Sequence, residues 1–260
     1  MILDEIAAHV REEIETRRRK IPPSALRERP LFHLPSRRFE ESLSAKGRRI
    51  IAEIKRASPS KGVIRDEFNA VEIAKLYAAN GASALSVLTE NRFFQGHLEY
   101  LEKIKREVPL PLLRKDFILD RYQLLESRSF GADAVLLIAA LLDPVFLKDL
   151  LEEAKSVLLD ALIEIHTETE LESALQAGAR MVGINNRDLR TFEIDLGTTE
   201  RLLPKVPSGI VVVCESGIET VEQIQRFEAL GVHRFLIGET LMRARDPGAK
   251  LRELLMNGQS

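Results

Sequence analysis

Chemically active side chains recur two residues apart along this chain, the spacing at which alternating strand residues face the same way. Glu53 and Lys55 form the first such pair. Burying these ions is costly unless they are partnered, so the pair reads either as a structural salt bridge or as acid-base machinery. The segment that follows, from Arg56 through Ser58 to Gly62, combines turn residues with hydroxyl donors. It suits a polar or anionic ligand, and equally an ordinary surface turn. Lys115 alternates with Leu113 and Phe117, which sets it beside an aromatic surface. A lysine titrates at about 10.4 and is a proton donor to any oxygen held against it. The alternative is an ion pair with Asp116 or another acid of the rim. Glu164 shares a face with Leu162 and His166 and is placed to act as an inward-facing base. His166 itself reads as a rim hydrogen-bonding residue. Asn185 and Arg187 align their amide and guanidinium donors, a combination suited to carboxylate, hydroxyl or phosphate groups, while Asn186 faces elsewhere. A hydrogen-bonded loop is the plainer reading of that segment.

The elements that must position these groups alternate regularly. Eight strand-length apolar runs begin near residues 50, 84, 111, 133, 161, 180, 209 and 233, and amphipathic helical patterns lie between them. Apolar strands joined by helices imply a parallel sheet buried on both faces. Eight units within about 210 residues match a closed (β/α)8 TIM barrel, with an open doubly wound sheet as the alternative. The polar groups gather at the C-terminal ends of the runs, where the active sites of such barrels lie. Residues 48–260 are assigned to the barrel and residues 1–47 to an N-terminal helical extension of the same domain. In the extension Ile2, Ile6, Val10 and Ile14 follow a helical period, and the basic run Arg17 to Lys20 reads as a solvated cap complementing the helix dipole. Pro22, Pro23, Pro30 and Pro35 then mark an extended connection.

The last two strand ends carry glycine: Glu215-Ser216-Gly217 and Ile237-Gly238-Glu239. Glycine lets a backbone approach a ligand, and barrels bind phosphate at this place with the N-terminus of a short helix, here expected to begin at Thr240. The Glu239 amide would contribute while its carboxylate turns away. Tight closure by small residues is the alternative. Cys214 has the opposite parity from Val213 and Glu215, so it points to the helices and reads as a packed, inert thiol.

Composition removes other classes. With 38 Lys plus Arg against 40 Asp plus Glu, the net charge of −2 offers no basic excess for nucleic acid. One cysteine excludes an internal disulfide, and five scattered histidines show no metal-ligand spacing. The first twenty residues carry acids along their length and lack the apolar core of a signal peptide, and no run reaches transmembrane length. These features point to a cytoplasmic protein with no membrane or nucleic-acid partner; a monomer or weak homodimer is the expected state, which composition does not decide.

The segments IAEIKRASPSKG, LTE-x-x-FFQG, PLLRKDFI, IEIHTE, GINNRDL, ESGI and LIGETLM occur in one order, and in that order they resemble the indole-3-glycerol phosphate synthase family along nearly the whole chain. The resemblance implies a cofactor-free ring closure of 1-(2-carboxyphenylamino)-1-deoxyribulose 5-phosphate, with loss of carbon dioxide and water. It implies Lys115 as general acid, Glu164 as base, Lys55 at the substrate anions and in dehydration, Glu53 orienting Lys55, and Asn185 at the sugar hydroxyls. Ser58 and Arg187 are then ligand-binding, Ser216, Gly217, Gly238 and Glu239 the phosphate cradle, and Phe117 the aryl wall. Glu239 departs from relatives that carry Ser there. A phosphosugar isomerase on the same barrel and a catalytically silent phosphate-binding barrel are the competing expectations.

Overall fold

The apolar runs are strands because Val, Ile and Leu suit a pleated surface covered on both sides. The computed structural model describes residues 2–256. Its barrel strands are β1 (Arg49–Ile54), β2 (Ala84–Leu88), β3 (Leu112–Lys115), β4 (Ala134–Ile138), β5 (Asp160–Ile165), β6 (Met181–Asn185), β7 (Val211–Glu215) and β8 (Arg234–Ile237). Each pairs in parallel with its neighbour in the chain, and β8 pairs with β1 to close the ring. The TIM barrel expected from the sequence is the fold observed. A two-stranded hairpin, Ala57–Ser58 with Gly62–Val63, stands on the loop after β1.

Three helices precede β1: α1 (Ile2–Lys20), α2 (Pro23–Glu28) and α3 (Phe39–Ser44). The connection expected to be extended is thus partly helical. Pro23 starts α2 and Pro30 starts a 3-10 turn, because proline's fixed φ and missing N–H are tolerated at a first helical position. Helices then follow the strands in turn: α4 (Ala70–Ala79), α5 (Glu99–Glu107), α6 (Arg121–Ser129), α7 (Pro144–Ser156), α8 (Glu168–Ala177), α9 (Gly197–Leu202), α10 (Val221–Ala229), and finally α11 (Glu239–Arg243) with α12 (Pro247–Leu255). Capping boxes start α6, α8 and α10, satisfying amides that have no partner inside the helix. No described helix is long and apolar enough to cross a membrane.

The basic end of α1 corrects the reading of a solvated cap. Arg19 and Lys20 are exposed, but Arg17 Nε lies 3.0 Å from Glu126 Oε1 and Arg18 Nη2 lies 2.5 Å from Asp120 Oδ1. Both acids belong to the α6 segment, so these arginines dock α1 instead of only facing water. Glu126 is buried because its other oxygen meets Arg114 at 2.9 Å, and Arg114 also meets Asp116 at 2.9 Å. Asp116 accepts from the Thr89 hydroxyl at 2.5 Å and from the Phe117 amide at 2.8 Å. Lys115 lies between Arg114 and Asp116 in sequence and points the opposite way. Its direction is therefore held by an ionic network on the far face of its own strand.

Breaking such a network leaves unpaired buried ions, which is far more costly than losing an exposed pair. Arg114→Met should lower unfolding free energy in urea by about 3–5 kcal/mol. Glu41→Ala, which removes the exposed partner of Arg38, should change it by no more than about 0.5 kcal/mol.

Candidate active site

At the C-terminal end of the strands the side chains enclose a cavity of about 410 Å³, within the range that holds a small metabolite. All twelve residues expected from the sequence line it: Glu53, Lys55, Ser58, Lys115, Phe117, Glu164, Asn185, Arg187, Ser216, Gly217, Gly238 and Glu239. Lys55, Phe117 and Arg187 lie just past their strands, and the alternation carries on far enough to turn them inward.

The floor is a compact ionic cluster. Lys55 Nζ lies 2.7 Å from Glu53 Oε1, and Lys115 Nζ lies 2.6 Å from Glu164 Oε2 and 3.4 Å from Glu215 Oε2. Lys115 therefore does not pair with Asp116, which serves Arg114 behind it. Burial opposes the charge of Lys115, but Glu164, Glu215 and Glu53 outweigh it and hold the ammonium above its ordinary range. Burial likewise opposes ionisation of Glu164, and the charge and hydrogen bond of Lys115, with Asn185 adding to them, bring its carboxyl below the usual range.

Glu215 behaves differently. Burial pushes it from an ordinary 4.5 to about 8, with Glu164 and Glu53 adding to the effect of burial and Lys115 only partly opposing it. Its Oε1 has no hydrogen-bond partner, so nothing stabilises the ion on that side. The space it occupies exists because β6 carries glycine: a Cβ on Gly183 would lie 1.9 Å from Glu215 Oε1. Gly238 makes the same room for Glu53, since a Cβ there would lie 2.1 Å from its Oε1. The sequence reading gave Glu215 no role. The parity that set Cys214 outward already turned its neighbour into the lumen.

The opposite rim is looser. The Asn185 side-chain oxygen accepts the Arg187 amide at 2.9 Å. Arg187 Nη2 stands 3.3 Å from Glu239 Oε2, and Arg243 Nε stands 3.3 Å from Glu239 Oε1. The expectation that the Glu239 carboxylate turns away is thus corrected, because two arginines draw it along the cavity wall. The short helix begins at Glu239, one residue before the expected start. Ser216 and Gly217 are both left-handed, at φ 65° and 79°, and a Cβ on Gly217 would meet Ile194 Cγ2 at 2.6 Å. Asn186 fixes this turn from outside by donating to the Ser216 carbonyl at 3.1 Å. Ser58 Oγ is buried at the cavity with no partner, leaving a free donor. Cys214 faces α9, and burial pushes its thiol to about 11, which leaves it unreactive. Phe94, Leu88, Leu136 and Ile138 complete an apolar side. Phe94 sits on a loop, where no alternation rule could place it.

A parallel eight-stranded barrel with this acid-base floor at its C-terminal mouth defines a (β/α)8-barrel enzyme. A sequence profile described as indole-3-glycerol phosphate synthase matches residues 3–254. Indole-3-glycerol phosphate synthase of Dehalococcoides mccartyi strain CBDB1 is 50% identical over 260 residues, covering 98% of this chain and 100% of that protein. The protein of the same name from Acetivibrio thermocellus is 48% identical over 257 residues, covering 97% and 98%. The chain belongs to the indole-3-glycerol phosphate synthase family, decarboxylating lyases of tryptophan biosynthesis. Among solved structures, 3-hexulose-6-phosphate synthase from Salmonella typhimurium aligns with a TM-score of 0.64 at 15% identity, covering 79% of this chain and 96% of that one. KGPDC from Streptococcus mutans aligns at 0.62 with 16% identity, covering 80% and 96%. At that distance they show a shared fold alone.

The raised Glu215 has a consequence for stability. Between 4.5 and about 8 the folded chain keeps a proton that the unfolded chain has released, so stability contributed by this group falls as pH rises through that window. Glu215→Gln stays neutral at every pH. Its melting temperature should approach that of the wild type near pH 4.5 and exceed it increasingly up to pH 8. Differential scanning calorimetry across that range checks this, and parallel curves would refute it.

Proposed function

We propose that the chain converts 1-(2-carboxyphenylamino)-1-deoxyribulose 5-phosphate to indole-3-glycerol phosphate by acid-base catalysis, with Lys115 as acid and Glu164 as base. The observation that carries this reading is the 2.6 Å contact between those two groups on the cavity floor, beside the apolar wall of Phe117. The reaction needs a proton donor at a carbonyl oxygen and, later, a base for the proton lost in forming the indole. Both stand within reach of one bound molecule.

The aromatic carbon bearing the carboxylate attacks the ribulose carbonyl carbon, and Lys115 Nζ delivers its proton as negative charge develops on the oxygen. An ammonium held above its ordinary range is a weak acid in the ground state, but an alkoxide is a stronger base and takes the proton as it forms. Carbon dioxide then leaves, and its bonding electrons restore the aromatic ring. Water departs from the new alcohol carbon with Lys55, steadied by Glu53, as the proton donor. Glu164, ionised through its contact with Lys115, removes the proton whose loss completes the indole. Asn185 holds the sugar hydroxyls. Ser58, Arg187, Ser216, Gly217, Gly238 and the backbone of Glu239 hold the anionic end, and this remote contact orients the reacting carbons.

Purified chain, mixed with the substrate under chelation, should generate indole fluorescence. The chain contains no Trp, so the signal has no tryptophan background from the protein. Lys115→Met should reduce kcat by about a hundred- to ten-thousandfold, the usual weight of a general acid. Gly217→Val should act mainly on binding, raising KM about tenfold, the equivalent of about 1.4 kcal/mol. The reverse pattern would overturn the division of roles.

A further inference from the structure

One motif, LTE-x-x-FFQG at residues 88–96, has so far supplied only a wall residue. Its geometry centres on Glu90, which is 2% exposed. The Glu90 carboxylate accepts the amides of Arg92 at 3.0 Å, Phe93 at 2.7 Å and Phe94 at 3.0 Å, and its carbonyl accepts the amide of Gly96 at 2.7 Å. Four of the five amides from 92 to 96 therefore converge on one residue. Two details show that the loop is forced into this path. Gln95 is left-handed at φ 51°, and a Cβ on Gly96 would lie 2.4 Å from the Leu88 carbonyl oxygen. Strain of that kind persists only where surrounding contacts over-determine the backbone.

The folded loop delivers Phe94 to the cavity, where its ring sits 6.0 Å from that of Phe117 at 42°. The Phe117 amide is itself held by the buried Asp116. Each aromatic residue of the wall thus donates its own backbone N–H to a buried carboxylate. Phe93, one residue earlier, faces the other way and meets His9 of α1 edge-on at 6.0 Å. Shifting the loop by one residue would exchange Phe93 for Phe94 at the cavity.

We propose that Glu90 is a positioning residue for the aryl end of the substrate: it fixes Phe94 opposite Phe117, and the gap between these rings sets affinity for the aromatic group without touching the phosphate end. This inference rests on the reaction proposed above.

Two probes separate the roles. Indole-3-glycerol phosphate carries both an aromatic ring and a phosphate, whereas glycerol 3-phosphate carries only the latter. In Glu90→Gln, where an amide replaces one acceptor oxygen by a donor, affinity for indole-3-glycerol phosphate should fall about three- to tenfold, the scale of an aromatic contact. Affinity for glycerol 3-phosphate and kcat should stay within about twofold, and KM should rise with the first value. Phe94→Leu should reproduce the loss, and adding Glu90→Gln to it should cost nothing more. Glu90→Asp, which keeps the charge but not the reach, carries the same expectation where Glu90→Gln folds poorly. Equal weakening of both ligands, or of neither, would overturn the proposal. Failure of the wild-type chain to bind indole-3-glycerol phosphate would instead remove the underlying reaction.

Discussion

A lysine that must stay charged where little water reaches it is the constraint around which this barrel mouth is built. Lys115 keeps its proton because the charges of Glu164 and Glu53 outweigh its burial, while the third carboxyl beside it, Glu215, is accommodated by keeping a proton of its own. Glu53, Glu164 and Glu215 against Lys55 and Lys115 would leave one negative charge in excess. With Glu215 pushed to about 8, that carboxyl keeps its proton at neutral pH, and the remaining two anions balance the two cations. Room for the crowded carboxylates comes from the strands beside them. Gly238 reads from the sequence as a phosphate-loop glycine, but a methyl group there, or at Gly183, would fall on a carboxylate oxygen. The charge state of one lysine thus reaches into the residue choice of β1, β5, β6, β7 and the end of β8.

The same lysine dictates what lies behind it. A strand residue can be aimed accurately only if its neighbours are fixed, and here Arg114 and Asp116 are fixed by ions. A buried ion pair is a poor source of net stability compared with apolar packing, so its use at this place calls for a geometric reason. Arg114 alone engages Asp116, Glu126, Ser127 and the Gln123 carbonyl, a directional fork that aliphatic packing does not supply. Through Glu126 the network continues to Arg17, so the docking of α1 and the aim of Lys115 depend on the same four charges.

Periodicity made the barrel legible, because a run buried on both faces, repeated eight times with helices between, has few other solutions. It also made the strand-borne part of the site legible: Glu53, Lys115, Glu164 and Asn185 are strand residues, and parity alone turns them inward. What escaped are features decided by partners distant in the chain. Nothing near Arg17 announces that Glu126 will receive it, since the two are brought together only when α6 packs under α1. The Glu239 carboxylate was expected to avoid the cavity because a phosphate repels it, and the two arginines that hold it come from β6's loop and from α11. Phe94 escaped for a third reason. A loop has no period, and its path is set by hydrogen bonds to a carboxylate that the sequence presents as just another Glu.

The two ends of the cavity also differ in how tightly their ions are held, and the difference matches the work each end would do. On the floor, the contacts of 2.6 and 2.7 Å join half-buried lysines to buried carboxylates, so the proposed acid and base have little freedom to drift from a reacting carbon. At the rim, Arg187 and Arg243 each meet Glu239 at 3.3 Å, and that carboxylate is partly open to solvent. An anion arriving there would compete with ion pairs that are longer than those of the floor and only partly shielded from water, at a smaller cost than breaking a fully buried pair. A floor held as loosely would let the proposed general acid wander, and a rim held as tightly would refuse the phosphate proposed to bind there. Glu239 in place of a hydroxyl residue is therefore compatible with an anion site, provided its ion pairs remain the weak ones in the cavity.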